Sequence, residues 1–151
     1  MANTQAMCTQ FKVDILNGVH AIGTPPTRAT TAKDTFKAAL YLASATVNAS
    51  TTAYSATGEV TGTNYSPGGI TVTNATAPTS SGTTAYWTPS ASLTYTTVTL
   101  STAFDAVLIY NSSQSNAAVA VYTFGSQTVT SGNFILTMPT NDSTNALLRI
   151  A

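Results

Sequence analysis

The sequence predicts an all-β protein, an antiparallel β-sandwich or jelly-roll-like fold with one short N-terminal helix. Threonine supplies 31 of the 151 residues, and this β-branched residue favours a pleated, half-exposed sheet surface over a helix. From residue 35 onward apolar residues recur with a period of two, and turn signals separate the apolar segments at short intervals. The length suits a single β-sandwich domain over residues 1–151, with an N-terminal arm and helix over about residues 1–34.

The N-terminal part of the chain is the one region with a helical pattern. Residues 1–10 are polar and predict a mobile arm. Over residues 9–19 the near-helical spacing of apolar residues, ended by Asn17-Gly18, predicts a short amphipathic helix. Its apolar positions are Phe11, Ile15, Leu16 and Val19. Residues 20–34 hold two prolines and a glycine and predict a long loop.

The first strand is predicted in "TFKAALYLAS", where alternate residues fall on opposite faces. One face carries Phe36, Ala38, Leu40 and Leu42, and the other carries Lys37, Ala39 and Tyr41. Further on, "SPGG" at residues 66–69 is a turn signal, because proline presets φ and glycine tolerates a positive φ. The strand after this turn has Ile70 and Val72 on one face and Thr71 and Thr73 on the other, which indicates one solvent-facing side.

The second half of the chain holds the strongest strand signals. In "ASLTYTTVTLS", Leu93 and Tyr95 share one phase and Val98 and Leu100 the opposite one, so we expect a bulge near Thr96-Thr97. Two apolar runs, residues 104–110 and 117–124, flank the polar segment "NSSQSN", which predicts a hairpin tip. A second hairpin is predicted in residues 126–139, with Ser131-Gly132 near its tip; Phe134, Leu136 and Met138 alternate and Pro139 ends the strand.

A short terminal strand in "NALLRIA" completes a set of seven to nine short strands. This number and spacing are typical of a sandwich or jelly roll. Residues 106–124 are apolar on both strand faces, whereas a strand of a free sandwich usually has one polar face. We therefore expect the second face to be covered by another layer, such as the N-terminal helix, or by a neighbouring subunit.

Charge and composition exclude several function classes. Five basic and five acidic residues give a net charge of zero, so no basic patch exists for nucleic acid. The apolar runs are too short to span a membrane. A single cysteine permits no intrachain disulfide, and the N-terminus lacks a signal peptide pattern, so we expect synthesis in a reducing cytoplasm. A low charged fraction, 7%, favours either work inside an assembly or a secreted protein kept soluble by threonine and serine.

The reactive side chains form no recognisable catalytic or metal-binding pattern. The only histidine, His20, could meet Asp14 if the helix end turns back, but a lone histidine near a helix C-terminus more often faces solvent or interacts with the helix dipole. Asp142 reads as a turn residue and Asp105 as a strand-entry residue. Tyr86-Trp87 is either a core or sheet-edge aromatic pair or, less favoured, a sugar-stacking platform or a partner-binding hot spot. For Cys8 we favour a small, inert residue packed against a neighbour over a functional thiol, which would need an electropositive pocket. We predict no enzyme activity, no cofactor and no catalytic, cofactor-binding or metal site.

Four segments together resemble a known group of proteins. They are "TFKAALYLASAT", "TAYSATGEVTGTNYSPGGITVTN", "AVLIYNSSQSNAAVAVYTFGSQTVTSGNFILTMP" and the closing "LLRIA". Their order over about residues 9–151 is similar to that of small β-rich virion structural proteins of tailed bacteriophages, of the capsid decoration (cement) type.

This resemblance implies a non-enzymatic protein on the capsid surface that braces major capsid protein subunits. It further implies a homo-oligomer, a trimer or dimer, made in the host bacterial cytoplasm. A tail or fibre-associated virion protein and a carbohydrate-binding or adhesion module remain alternatives, and a small hydrolase is a third. The low charge agrees with binding through apolar contacts and strand edges, without charge steering and without contact to nucleic acid or membrane.

Overall fold

The fold was analysed in a computed structural model, which describes residues 2–16, 19–20, 22, 33–73 and 76–151. In these residues one helix accompanies eight strands, which confirms the predicted all-β, sandwich-like class. The elements are β1 (Ala6–Met7), α1 (Thr9–Leu16), β2 (Phe36–Leu42), β3 (Ile70–Thr71), β4 (Thr79–Ser81), β5 (Thr84–Trp87), β6 (Leu93–Asn111), β7 (Ala117–Leu136) and β8 (Leu148–Ile150).

The main sheet is antiparallel, with strand order β1-β7-β6-β2-β3. Its centre is the β6–β7 hairpin, in which Leu108 lies opposite Val121 and Asn111 opposite Ala117. The polar segment at residues 112–116 forms the hairpin tip, as predicted. A second sheet, of order β4-β5-β8, lies beside it, and its strand β8 confirms the predicted terminal strand.

The hairpin predicted around Ser131-Gly132 is wrong. β7 runs for 20 residues through this dipeptide, because the residues on both sides of it pair with the same strand, β6. Ser131 has a φ of 47°, and Gly132 lies opposite Val98 beside a register shift. The serine-glycine signal therefore marks a bulge within a long strand and not a chain reversal. β6 and β7 are much longer than the short strands expected.

The bulge predicted at Thr96-Thr97 is confirmed. The β6–β7 register shifts between Tyr95 and Val98, and Thr97 has a φ of 51°. The shift restores one apolar face, since Leu93, Tyr95, Val98 and Leu100 are each no more than 3% exposed.

The long β6–β7 hairpin forms a bent two-stranded ribbon, and this ribbon supplies most of both layers. Residues 104–111 of β6 pair with β2. Tyr95 lies in the other half of β6, and its hydroxyl donates a hydrogen bond to the Ala38 carbonyl of β2 at 2.8 Å. The Phe134 ring of β7 meets the Phe104 ring edge-on, with centroids 4.9 Å apart. The half of the ribbon far from the hairpin tip, the distal half, therefore folds back over the half next to the tip, the proximal half. The core lies between the two halves.

Both faces of the proximal ribbon are covered within the chain. One face carries Phe36 and its cross-strand partner Asn111. On this face the Phe36 and Trp87 rings pack together, with centroids 6.2 Å apart. On the opposite face the Tyr54 ring stacks on Tyr110 at 4.7 Å, and Tyr41 donates to the Ser55 carbonyl. The second face is thus covered by the segment around residues 53–65, which the sequence did not indicate.

The N-terminal residues are anchored, so the expected mobile arm is wrong over residues 2–10. β1 pairs with β7, and Asn3 donates to the Leu42 carbonyl at 3.1 Å and accepts from the Val47 amide at 3.0 Å. In α1 Phe11 is 1% exposed, but Ile15 is 38% exposed and so is not the core residue expected. The predicted loop over residues 20–34 lies mostly outside the described residues.

The turn predicted at residues 66–69 is confirmed. The Gly69 amide donates to the Ser66 carbonyl at 2.9 Å, and Gly68 and Gly69 have φ values of 86° and 70°. This turn places β3 beside β2, with Ile70 opposite Ala38. Val72 is buried and Thr71 and Thr73 are exposed, in the predicted alternation.

Candidate functional site

His20 and Asp14 do meet, because the chain turns back after α1. His20 Nε2 lies 3.3 Å from Asp14 Oδ2. On the other side of the ring, Asn111 Nδ2 lies 2.9 Å from His20 Nδ1. The same amide donates to Asp34 Oδ2 at 2.7 Å, and its Oδ1 accepts from the Ser113 amide at 3.0 Å. These partners fix the orientation of the Asn111 side chain, so Nδ2 is the donor and His20 Nδ1 the acceptor.

This arrangement does not resemble a catalytic dyad. Both ring nitrogens of His20 face side-chain partners, and its side chain is 1% exposed. The ring packs against Phe11 and Phe36, at centroid distances of 4.9 and 6.1 Å. A general base needs a nitrogen within reach of a substrate proton. His20 instead joins the end of α1 to the end of β6.

The "NSSQSN" loop contributes to the same network. Gln114 donates to Asp34 Oδ1 at 3.1 Å, and Ser113 accepts from the Thr35 amide through Oγ at 2.9 Å. The Ser112 amide donates to the Thr35 carbonyl at 2.9 Å. The hairpin tip therefore fastens the start of β2, a role that its composition alone did not reveal.

The densest polar cluster is centred on Glu59, which was not singled out from the sequence. Its side chain is buried, with 6% of the residue exposed. It accepts hydrogen bonds from the Tyr54 hydroxyl at 2.6 Å, the Tyr65 hydroxyl at 2.7 Å and the Gly68 amide at 2.8 Å. Three donors offset the cost of burying the carboxylate. The cluster fastens the segment over residues 54–68 onto the main sheet.

Further tyrosines complete this cluster. Tyr65 also accepts from the Leu40 amide at 3.0 Å, its ring stacks on Tyr95 at 5.9 Å, and Tyr110 donates to the Gly68 carbonyl at 2.8 Å. Burial first, and then the nearby Glu59 carboxylate, raises the pKa of Tyr95 and Tyr110 above the usual value. Burial also raises the pKa of Tyr41 to about 12. These hydroxyls are therefore structural donors at neutral pH, and they leave no phenolate for catalysis.

We expect the protein to lose stability as the pH rises above about 10. Unfolded tyrosines release their protons there, whereas Tyr41 keeps its proton to about pH 12 and the pKa of Tyr65 and Tyr122 is also raised. The native state then binds more protons than the unfolded state, so ionisation favours unfolding. Phenolate absorbance followed together with circular dichroism should show late, cooperative ionisation accompanying unfolding. Ionisation of all seven tyrosines near pH 10 in a folded chain would contradict this.

Trp87 does not form an exposed stacking platform. It is 2% exposed, and its Nε1 donates to the Thr76 carbonyl at 3.0 Å. The core interpretation of the tryptophan is therefore confirmed. Cys8 is 0% exposed, and burial raises its pKa to about 11, which makes it a poor nucleophile.

The two remaining acids also serve local structure. Asp105 accepts from Asn3 Nδ2, which ties β6 to the N-terminal residues. Asp142 accepts from the amides of Thr144 and Asn145 at 2.8 and 2.7 Å, which is the predicted turn chemistry. The hydrogen bonds of Asn145, first from its side chain, hold the pKa of Asp142 below its usual value.

The outer edge of β7 is largely unpaired in the described part of the main sheet. β1 pairs with β7 only at Ala120 and Val121, so within the described residues the outer edge of β7 has no partner strand from Tyr122 to Leu136. We call this the free β7 edge. It contains no charged residue and no proline, although natural proteins commonly protect such edges with both. The serine-glycine signal for a second hairpin concealed this edge in the sequence, because a hairpin there would divide β7 into two short strands.

No group of three or more metal-ligating side chains occurs in the described part of the chain. Among the same residues, no helix has the length and apolar character needed to cross a membrane. Comparison of the chain with protein-family models, with curated proteins and with solved structures found no match in any of the three.

Proposed function

We propose that this protein is a non-enzymatic structural protein of a tailed-bacteriophage virion, where it acts as a capsid decoration protein. It is made in the host cytoplasm, binds the outer surface of the shell as a homo-oligomer and braces major capsid protein subunits. The observation that carries the proposal is the free β7 edge. A long neutral edge is a site for backbone pairing with another chain, and a protein that works in a permanent assembly can keep such an edge.

The distribution of charge supports the same proposal. Asp14, Asp34 and Glu59 are at most 7% exposed and are engaged in internal hydrogen bonds. These three carboxylates are therefore used in internal contacts, and they leave little surface charge for steering a soluble substrate. The ordered resemblance to small virion structural proteins of tailed bacteriophages is the second support, and within that group it favours the capsid decoration type.

The number of copies per particle tests the proposal. A decoration protein follows the shell lattice, so purified virions should contain it at hundreds of copies, in a constant ratio to the major capsid protein. Quantitative mass spectrometry of intact particles and of separated tails measures this ratio. A handful of copies, found with the tail fraction, would assign the protein to the tail or fibre instead.

Capsid stability tests the bracing role itself. Particles that lack the protein should release DNA at a lower temperature than complete particles, and adding purified protein back should restore the higher temperature. DNA release can be followed with a DNA-binding dye. Equal release temperatures with and without the protein would refute bracing, even if the copy number were high.

No feature of the described residues favours the carbohydrate-binding alternative. It depended on Tyr86-Trp87, and the indole of Trp87 is buried with its N–H bonded to Thr76. Binding to a glycan array that is lost in Trp87→Ala but retained in Tyr86→Ala would nevertheless revive it.

A further inference from the structure

The free β7 edge is divided into a bulged part and a regular part. The β6–β7 register shifts repeatedly between Tyr95 and Ala106 of β6. These residues lie opposite the part of β7 that runs from Thr123 to about Gly132. Beyond it, Phe134, Ile135 and Leu136 pair in unbroken register with β6 residues 93–95. Bulges twist an edge and hinder the addition of another strand. The regular part, residues 134–136, with Asn133 and Thr137 on either side of it, is therefore the part best suited to accept one.

Ile135 marks the centre of this regular part. It is 52% exposed, the most exposed of the large apolar side chains in the described residues. Asn133 of β7, Thr137 just beyond the end of β7, and the β6 partner Thr94 are also exposed and uncharged. Pro139 follows closely and limits how far a partner strand can extend.

We propose that residues 133–137 pair with the same residues of a second copy, antiparallel, about a two-fold axis through Ile135. In this register Ile135 lies opposite Ile135 of the other copy, and Asn133 lies opposite Thr137. A two-fold contact requires a self-complementary patch, and a neutral strand brings no like charges together. The exposed isoleucines cover each other as a cross-strand apolar pair.

The contact between single molecules is weak. A stable interface buries on the order of 1,600 Å², and two five-residue strand segments bury much less. The pairing therefore becomes extensive at high local concentration. It depends on the geometry of β7 and not on where the protein sits in a virion, so it can fail or hold independently of the proposed function.

Disulfide trapping tests the pairing directly. Opposed residues of an antiparallel pair have Cα atoms about 4.5–5.5 Å apart, within the range that a disulfide spans. Ile135→Cys should therefore give a covalent dimer under mild oxidation. The matched control is Ile150→Cys, because Ile150 is 47% exposed but lies on β8, an edge strand of only three residues that carries the charged Arg149; short, charged edges disfavour strand addition. The unmodified chain controls for Cys8, which is 0% exposed.

We expect at least about five times more disulfide dimer from Ile135→Cys than from Ile150→Cys, because strand pairing raises the effective concentration of the two opposed thiols, whereas random collisions would link both positions equally. A mixture of Asn133→Cys and Thr137→Cys should form the mixed disulfide faster than either variant dimerises alone, which tests the register. Circular dichroism confirms that each variant is folded. Equal crosslinking at positions 135 and 150, or no dimer at position 135, would overturn the proposal.

A second measurement avoids cysteine chemistry. Ile135→Lys places like charges opposite each other, so sedimentation at high protein concentration should show less dimer than for the unmodified chain, while Ile150→Lys should leave the dimer unchanged. If Ile135→Cys instead forms a disulfide with a different virion protein in assembled particles and none with itself, the partner of this edge is not a second copy.

Discussion

Gly69→Ala is expected to lower the free energy of unfolding by about 4 kcal/mol or more. A Cβ at this position would lie 1.7 Å from the Ala38 carbonyl oxygen, which is backbone of the central part of β2 and cannot rotate away. Gly69 also has a φ of 70°, a region that alanine adopts only with strain. Since small domains are stable by about 5–15 kcal/mol, this loss removes a large part of the stability, and the variant should unfold at a much lower urea concentration than the unmodified chain. Urea unfolding of the soluble fraction measures the loss.

Gly82→Ala is the matched control for backbone strain. Gly82 has a φ of 57° and a Cβ there would meet nothing within 4 Å, so only the left-handed conformation is penalised, by about 1–2 kcal/mol. Gly62→Ala isolates the steric contribution, because its Cβ would lie 2.1 Å from the Thr99 carbonyl oxygen without a positive φ. Equal stability of Gly69→Ala and Gly82→Ala would contradict the close approach of Gly69 to the β2 backbone.

Glu59→Ala is expected to cost about 3–5 kcal/mol. The substitution removes the acceptor for two hydroxyls, of Tyr54 and Tyr65, and for the Gly68 amide. The tyrosine side of this site is buried, since Tyr65 is 9% exposed, so water cannot fully replace the carboxylate. We expect the segment over residues 54–68 to detach first, which hydrogen exchange of its amides would show together with the urea midpoint.

Glu59→Gln is the conservative comparison. It keeps the shape and one acceptor oxygen, but its amide N–H group then faces one of the donors. Its cost should lie between that of Glu59→Ala and zero, about 1–3 kcal/mol. Tyr54→Phe in the Glu59→Ala background should cost little, because the hydroxyl has already lost its acceptor. A loss below about 1 kcal/mol in Glu59→Ala would show that the cluster does not hold the fold together.

Sequence reasoning located most elements whose signal is local. The turn at Ser66–Gly69, the bulge at Thr97 and the hairpin tip at residues 112–116 were all identified correctly. Each depends on the backbone preferences of a few adjacent residues, such as the tolerance of glycine for positive φ. The same local signal misled at Ser131-Gly132, because a serine-glycine pair suits a bulge as well as a turn.

The clusters of polar side chains were beyond the reach of such patterns. Glu59 meets Tyr54, Tyr65 and Gly68 because the segment between them folds over β2, and no spacing rule relates these positions. Asn111 and His20 are 91 residues apart in the chain and 2.9 Å apart in space. A single glutamate near several tyrosines is a weak signal in a sequence. Recognising the cluster would have required knowing which of these residues are buried.

By itself, the sequence determined the all-β class, the alternation of strand faces and the scarcity of charge, since periodicity and composition act through local sterics and solvation. The tertiary structure alone decided that residues 117–136 form one strand, that the ribbon folds back to cover its own second face, and that the outer edge of β7 is left without a partner strand in the described chain. These features depend on contacts between distant residues, where many pairings of the same strands satisfy the same local pattern and packing selects among them.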